Sequence, residues 1–434
     1  MPRYIAGTEV YTHSLAKLQQ DAGHQVSIIT PHIEHYAPGK IQDYYQYDGI
    51  DVYQFLETAN PANREFYSGN RKPLGLNNFF ELIKKLQPDV VHFHELNRSI
   101  GITIEHLKLA RQIASKIFIT MHLSFYTCNT NRLVKKNKLC SGQIIELDCS
   151  ACTYNSIYKF PNLLAALMAN FSVVMNRTGI SSRLMPGKFT TLVAMPSTIQ
   201  RIKNELKELV ENVDQIISLT EFYKKILILN GVPEKKITFI PQALANVVGK
   251  NVTPTQFIKS ETLRLVFIGR IQPQKGLHLI IEAFKSFSET ELSIDIYGKP
   301  EDSAYYKKCI ADSERMTNIN WKGLIEGNKV VSMLSGFDFL CLPSLFSEMS
   351  PLVIQEAFAA GIPVLASKVY GNMEQIEHKK NGLLFEFNSA SDLVVQLKKL
   401  IAQPELIGKM KQQIQLPKTF DEVYKSYMQL YQSN

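Results

Sequence analysis

Leu263-Arg264-Leu265-Val266-Phe267-Ile268-Gly269-Arg270 is the stretch that decides the fold. Its apolar run is long enough for a buried strand, and it stops at a glycine. A helical pattern follows from Leu277 to Phe287, and then a second strand-like run, Leu292 to Tyr297. Further runs lie at Phe337-Asp338-Phe339-Leu340-Cys341-Leu342 and Pro363-Val364-Leu365-Ala366. Short apolar strands joined by helical crossovers form a parallel sheet covered on both faces. Such a doubly wound sheet binds ligands at the carboxyl ends of its strands.

Working outward, the first half repeats the layout. Gln25 to Thr30, Asp89 to His94 and Lys116 to Thr120 read as strands, and Val10–Ala22 and Asn77–Leu86 as helices. A chain of 434 residues is too long for one ordinary core. The break falls in Ala243–Ser260, which has Gly249, Pro254 and no clear period. The expected division is a first domain over 1–243, a linker over 244–261, a second domain over 262–410 and a closing segment over 411–434. In that segment the helix Phe420–Tyr431 packs back toward the first domain.

Composition narrows the function classes. Apolar residues at 45% and charged residues at 20% are ordinary for a globular enzyme. The net charge of +8 is not gathered into a zinc finger, an RNA-binding signature or a Lys/Arg block, so a nucleic-acid partner is not expected. Anionic small molecules or an anionic membrane surface fit better. Met1-Pro2-Arg3 leads straight into polar sequence, and the apolar stretch Leu163–Met175 is interrupted by Asn170 and too short to span a bilayer. A cytoplasmic protein, peripheral at the inner face of the membrane, is the expectation.

The chemistry concentrates in Ser347-Glu348-Met349-Ser350-Pro351-Leu352-Val353-Ile354-Gln355-Glu356-Ala357-Phe358-Ala359-Ala360-Gly361. Ser350 reads as a helix N-cap, Pro351 as the first helical position and Gly361 as the stop. A helix N-terminus presents free N–H groups to an anion such as a diphosphate. Glu348 and Glu356 cannot bind phosphate, but they can accept hydrogen bonds from sugar and ribose hydroxyls. The plain alternative is a capped core helix with two solvated glutamates. Gly269-Arg270 and Lys275-Gly276 add an Arg fork and a Lys point charge suited to a diphosphate leaving group. Gly298, in Ile296-Tyr297-Gly298-Lys299-Pro300-Glu301, is another strand-end glycine that lets backbone approach a ligand.

Together these motifs resemble the donor domain of the family 4 retaining glycosyltransferases. The resemblance implies a GT-B fold, two Rossmann-like doubly wound domains facing a central cleft with a C-terminal closing helix. Glu348 and Glu356 match the family's glutamate pair, and Gly269, Arg270, Lys275 and Gly276 match its Gly-Arg and Lys-Gly. The runs from Gly371 and from Asn381 also fit, while Val369-Tyr370 stands before Gly371 where many relatives have Gly-Gly. By resemblance, Arg270 and Lys275 hold the diphosphate, Glu348 meets donor-sugar hydroxyls and Glu356 the ribose. The backbone from Ser350 through Pro351 to Leu352 meets phosphate or sugar, and Trp321 to Leu324 lies beside the nucleobase. The resemblance further implies a retaining hexosyltransferase that needs no metal and uses a UDP- or GDP-linked donor. The acceptor is then a glycan or lipid-linked molecule of polysaccharide biosynthesis.

On the acceptor side, His122 follows a strand, where relatives carry a His that reaches the donor sugar. They usually have Asp next, and here Leu123 stands instead. His94 is a second, weaker candidate. Gly7-Thr8-Glu9 matches a family loop facing acceptor and phosphates, yet only six residues precede it, so most of the family's first strand is expected to be missing. Cys128, Cys140, Cys149 and Cys152 supply the thiolates of a structural tetrahedral zinc site, with four unliganded thiols as the alternative. From Cys149 to Asn204 there is no acidic residue, but there are Lys159, Arg177, Arg183, Lys188, Arg201 and Lys203. Phe160, Leu163, Leu164, Leu167, Met168 and Phe171 are interleaved with them, which suits an anionic bilayer or an ordinary core helix. A non-catalytic sugar-nucleotide scaffold and a GT-B sugar-nucleotide epimerase are the alternative functions.

Overall fold

The computed structural model describes residues 7–33, 44–57, 73, 75–97, 101–177, 192–244 and 262–432. The chain divides into two compact units. Unit 1 is Met1–Lys136, Cys140–Pro241 and Asp421–Asn434, and unit 2 is Asn137–Leu139 and Gln242–Phe420. The missing first strand and most of the 244–261 linker concern residues outside the described ones.

Unit 1 opens with α1 (Gly7–Asp21), so Gly7, Thr8 and Glu9 form the first helical turn and not a loop. Thr12 Oγ1 donates to Thr8 O at 2.8 Å. Glu9 in the first turn also suits the positive end of the helix dipole. Next come β1 (Ser27–Ile33), β2 (Tyr44–Tyr47) and β3 (Ile50–Glu57), a sheet ordered β1-β3-β2. β1 runs parallel to β3 with Ser27 opposite Asp51, and β2 runs antiparallel to it.

The chain continues through α2 (Leu76–Leu86), β4 (Val90–His94), α3 (Ile104–Ala110), β5 (Lys116–Met121) and the short β6 (Val134–Lys135) and β7 (Lys138–Leu139). A helical excursion follows: α4 (Glu146–Ser156), α5 (Asn162–Arg177) and α6 (Met195–Asn212). Then come β8 (Gln215–Ser218), α7 (Glu221–Leu229) and β9 (Ile237–Phe239). β4-β5-β8-β9 form an all-parallel sheet. The central strand β5 is buried from Ile117 to Met121, as a sheet covered on both faces requires.

The C-terminal helix Phe420–Gln432 seats its tyrosines on this sheet. Tyr427 Oη lies 2.9 Å from Tyr11 Oη and 2.8 Å from Thr120 Oγ1. Lys116 Nζ donates to Tyr431 O at 2.8 Å.

Unit 2 is a six-stranded parallel sheet. Its elements in chain order are β10 (Leu263–Ile268), α8 (Leu277–Phe284), β11 (Leu292–Tyr297), α9 (Ser303–Ser313), β12 (Ile319–Gly323), α10 (Val330–Leu334), β13 (Phe339–Leu342), α11 (Leu352–Ala359), β14 (Val364–Ser367), α12 (Tyr370–Gln375), β15 (Gly382–Phe385), α13 (Ala390–Ala402) and α14 (Glu405–Gln412). The strand order is β12-β11-β10-β13-β14-β15. Renumbered within the unit that is 3-2-1-4-5-6, the Rossmann order, whose switch point lies between β10 and β13. One face of the sheet packs Leu265, Phe267, Ile294 and Phe339 against Ile280, Phe284 and Leu397. The other packs Val266, Leu340 and Val364 against Ile354 and Phe358.

Tyr427→Phe removes the hydroxyl shared by Tyr11 and Thr120 and is expected to cost about 1 kcal/mol. Urea unfolding checks this, and an unchanged midpoint would show that the Tyr427 hydroxyl contributes nothing to holding the C-terminal helix.

Candidate functional site

The switch point in unit 2 collects the expected donor residues. Beyond β10, Gly269 N donates to Tyr297 O, and Arg270 is exposed at the strand end. A 3-10 turn, Pro273–Lys275, then leads into Gly276, whose φ of +71 is left-handed. A Cβ at Gly276 would stand 1.9 Å from Pro343 O, so only glycine lets this turn press against the segment after β13. Leu345 N donates to Gln274 O at 2.7 Å and ties the same two segments together.

That contact brings Lys275 to Glu348. The Nζ–Oε1 distance is 2.6 Å, and the side chains are only 13% and 10% exposed. Ser344 Oγ donates to the same carboxylate oxygen at 2.7 Å. A Cβ at Gly371 would lie 2.1 Å from Glu348 O, so α12 packs directly on the backbone that carries the carboxylate. A Cβ at Gly298 would lie 1.9 Å from Gly269 O, which accounts for the glycine at the end of β11.

The helix after Glu348 starts one residue later than the sequence reading has it. Pro351, with ψ of 116, is extended and occupies the N-cap, and Leu352 is the first helical residue. Ile354 N donates to Pro351 O, and Ser350 makes no capping hydrogen bond. A proline whose ψ is extended cannot belong to the helix, which moves the cap from Ser350 to Pro351. Gly361, with φ of +73, closes the helix as expected. Glu356 lies in its second turn, and burial raises its carboxyl to about 7. Leu324 is 73% exposed beyond β12. Trp321 lies in the same segment, on β12. Its half-buried indole packs edge-on against Tyr306 and donates to Ser313 Oγ.

In unit 1, β4 and β5 carry histidines to the carboxyl edge of the sheet. His122 is buried, its Nε2 3.3 Å from His94 Nδ1 and its ring edge-on to Tyr11. Burial, with His94 alongside, holds His122 well below the ordinary histidine range, and burial pushes His94 to about 3. Both are neutral imidazoles at pH 7. His92 bridges Tyr431 Oη and Thr120 Oγ1.

Sequence reasoning missed Glu95. Its φ of +73 is left-handed, and its Oε2 accepts from His122 N at 2.8 Å and Leu123 N at 2.7 Å. A carboxyl group from beyond the neighbouring strand therefore meets the backbone at Leu123. Among the described residues Glu95 Oε1 has no hydrogen-bond partner. Burial raises the group to about 8, against the pull of three backbone N–H groups. Ser344 was missed as well. Both residues lie just past a strand end, the signal that would have found them.

Cys128, Cys140, Cys149 and Cys152 gather into one cluster in which every pair of thiols is near enough for electrostatic influence. Cys152 Sγ donates to Val134 O and Cys149 Sγ to Gln143 O. Among the described residues no group of three or more His, Cys, Asp or Glu stands close enough to hold a metal ion.

Residues 251–416 match the model of the glycosyl transferases group 1, and residues 5–141 match that of glycosyltransferase family 4. The chain belongs to the group 1, family 4 glycosyltransferases. This group 1 chain is 26% identical over 238 residues to the amylovoran biosynthesis glycosyltransferase AmsK of Erwinia amylovora, covering 50% of this chain and 56% of that protein. It is 28% identical over 195 residues to an Escherichia coli UDP-Gal:alpha-D-GlcNAc-diphosphoundecaprenol alpha-1,3-galactosyltransferase, covering 42% and 48%. The chain thus spans about half the length of the curated relatives it matches. The solved structure of Anabaena HepE in complex with UDP and glucose is similar over 99% of this chain and 96% of that one, with a TM-score of 0.60 and 14% identity. The fold is GT-B.

Replacing Glu95 by Ala leaves the His122 and Leu123 N–H groups, among others, without their acceptor and is expected to cost about 2 kcal/mol, whereas Glu95→Gln keeps an oxygen in place. The folded protein holds the Glu95 proton up to about 8, while the unfolded chain releases it near 4.5. Stability therefore falls as pH rises through that window, and the Gln variant loses this slope. Urea unfolding of the three proteins across the window checks both, and parallel pH profiles for wild type and Gln would contradict the assignment.

Proposed function

We propose that this chain is a retaining, metal-independent hexosyltransferase. It moves a sugar from a UDP- or GDP-linked donor to a glycan or lipid-linked acceptor in polysaccharide biosynthesis, working in the cytoplasm at the inner face of the membrane. The observation that carries the proposal is the Lys275–Glu348 pair, with Ser344 on the same oxygen, at the switch point of a Rossmann-ordered sheet beside a helix N-terminus. UDP in the HepE structure and UDP-Gal in the name of the Escherichia coli relative favour a UDP-linked donor. That relative's diphosphoundecaprenol acceptor favours a lipid-linked one.

In transfer, an acceptor oxygen bonds to the anomeric carbon as the bond from that carbon to the diphosphate oxygen breaks. The electron pair leaves with the diphosphate. Lys275, Arg270 and the first-turn N–H groups of α11 stabilise that growing charge, a preorganised electrostatic effect. Glu348 is tied to Lys275 and Ser344, which suits it to receive sugar hydroxyls and not to attack carbon. The leaving phosphate oxygen then takes the acceptor's proton on the same face, which retains configuration. Glu356, ionising around neutrality, meets the ribose. His122, a neutral imidazole, is the acceptor-side group proposed to reach the donor sugar.

The test is release of nucleoside diphosphate from a panel of UDP- and GDP-hexoses, with lipid-linked and oligosaccharide acceptors, in the presence of EDTA. One donor is expected to turn over, with the product's anomeric configuration retained by NMR. The rate should drop at least ~100-fold in Lys275→Ala and in Glu348→Ala. Donor binding with no turnover under any condition would overturn transfer in favour of a scaffold. Full activity in both variants would overturn the site.

A further inference from the structure

The helix α5 is built inside out. Its buried residues are small: Ala165, Ala169 and Ser172. Ala165 and Ala169 pack with Tyr154 and Met195, and Ser172 Oγ accepts from Tyr154 Oη at 2.9 Å. Five of its large apolar side chains are exposed, Leu163 75%, Leu167 59%, Val174 59%, Leu164 44% and Phe171 44%, while Met168, Val173 and Met175 are half-buried. At 100° per residue these five fall within an arc of about 100°, opposite the small-residue face. A core helix shows the reverse distribution, so the reading of this segment as an ordinary core helix fails for its large residues. Phe160 and Met168 alone among the interleaved apolar residues are turned into the packed cluster.

The charge around this stripe has one sign. Lys159 precedes the helix and Arg177 ends it, both exposed. No Asp or Glu occurs from Cys149 to Asn204. Arg183 and Lys188 lie outside the described residues. Of the remaining basic residues, Arg201 is paired with Glu205, and Lys203 is exposed. An exposed apolar stripe whose nearest charges in sequence, among the described residues, are the cations Lys159 and Arg177 complements a surface that is apolar beneath a layer of negative charge. Among the described residues no helix is long and apolar enough to cross a membrane, so α5 can lie on a bilayer but not span it.

We propose that the outer face of α5, Leu163, Leu164, Leu167, Phe171 and Val174 with Lys159 and Arg177, docks unit 1 on an anionic lipid bilayer. The apolar stripe enters the acyl boundary and the two cations meet lipid phosphates. This deepens the proposed function by supplying a surface on which a lipid-linked acceptor is met. Donor turnover in solution needs no bilayer, so the two readings fail separately.

The experiment is sedimentation of the full chain with vesicles of phosphatidylcholine alone and of phosphatidylcholine with phosphatidylglycerol. The same vesicles are used with Leu163→Gln/Leu167→Gln/Val174→Gln and with Lys159→Glu/Arg177→Glu. All five positions are exposed, so both variants should keep the wild-type unfolding midpoint and the wild-type rate of donor hydrolysis in solution. The result expected is binding to the anionic vesicles only, weakened by salt and reduced at least ~10-fold in each variant. Absence of wild-type binding to anionic vesicles at low salt would overturn the proposal. Binding undiminished in the triple Gln variant would overturn it too, as would a wild-type dimer that the triple variant dissolves without any vesicle binding.

Discussion

The ion pair between Lys275 and Glu348 is the constraint around which unit 2 is arranged. Both side chains are about nine-tenths buried. Withdrawing two such charges from water costs several kcal/mol, and their attraction roughly offsets that cost, so a buried pair is poor evidence of net stability. Here it comes with a set of backbone approaches that only glycine permits. Gly276 is pressed on Pro343, Gly371 on Glu348 and Gly298 on Gly269. Each lacks a side chain where a Cβ would collide with a carbonyl oxygen, and together they draw the segments after β10, β11, β13 and β14 to one edge of the sheet. The sequence accepts less-specified turns there to hold a charged, hydrogen-bonding pair at the mouth of the switch point. In the proposed function a diphosphate-linked sugar would use these parts separately: the cation and the N–H groups opening α11 for the phosphates, and the carboxylate for the hydroxyls.

Unit 1 handles its polar groups in the opposite way. Its histidines are stripped of charge by burial and linked through hydroxyls: His92 to Tyr431 and Thr120, Thr120 to Tyr427, Tyr427 to Tyr11. Such a network is costly if any member is unpaired. It is closed by a helix that arrives from the far end of the chain, so the C-terminal residues are part of the unit's core chemistry. Glu95, held in a left-handed conformation by the turn it stabilises, orients the backbone of His122 from the neighbouring strand.

Much of this was legible in the residues. The strands Leu263–Ile268 and Leu292–Tyr297 coincide with the sequence reading, because buried parallel strands read as unbroken apolar runs. Gln215–Ser218 and Ile237–Phe239 escaped, since strands of three or four residues carry no period of their own. Lys275 and Glu348 stand out by spacing, yet nothing in one dimension says that they touch. Their contact depends on Gly276 meeting Pro343, 67 residues away in sequence. Glu95 was invisible for the same reason, because the carboxyl group that meets the backbone of Leu123 comes from beyond another strand. The inverted helix α5 is the clearest case. An apolar stripe and a small-residue stripe look alike until packing decides which one faces in.

The most direct test of the central claim is a double-mutant cycle on donor affinity, using the nucleotide sugar that turns over and the variants Lys275→Met, Glu348→Gln and the two combined. If the pair acts as one device, either single change should weaken binding by at least ~10-fold, and the double variant should be little worse than the weaker single, a coupling above about 1 kcal/mol. Additive losses would mean that the two residues contact the donor independently. No loss from either would place the donor elsewhere and contradict the account.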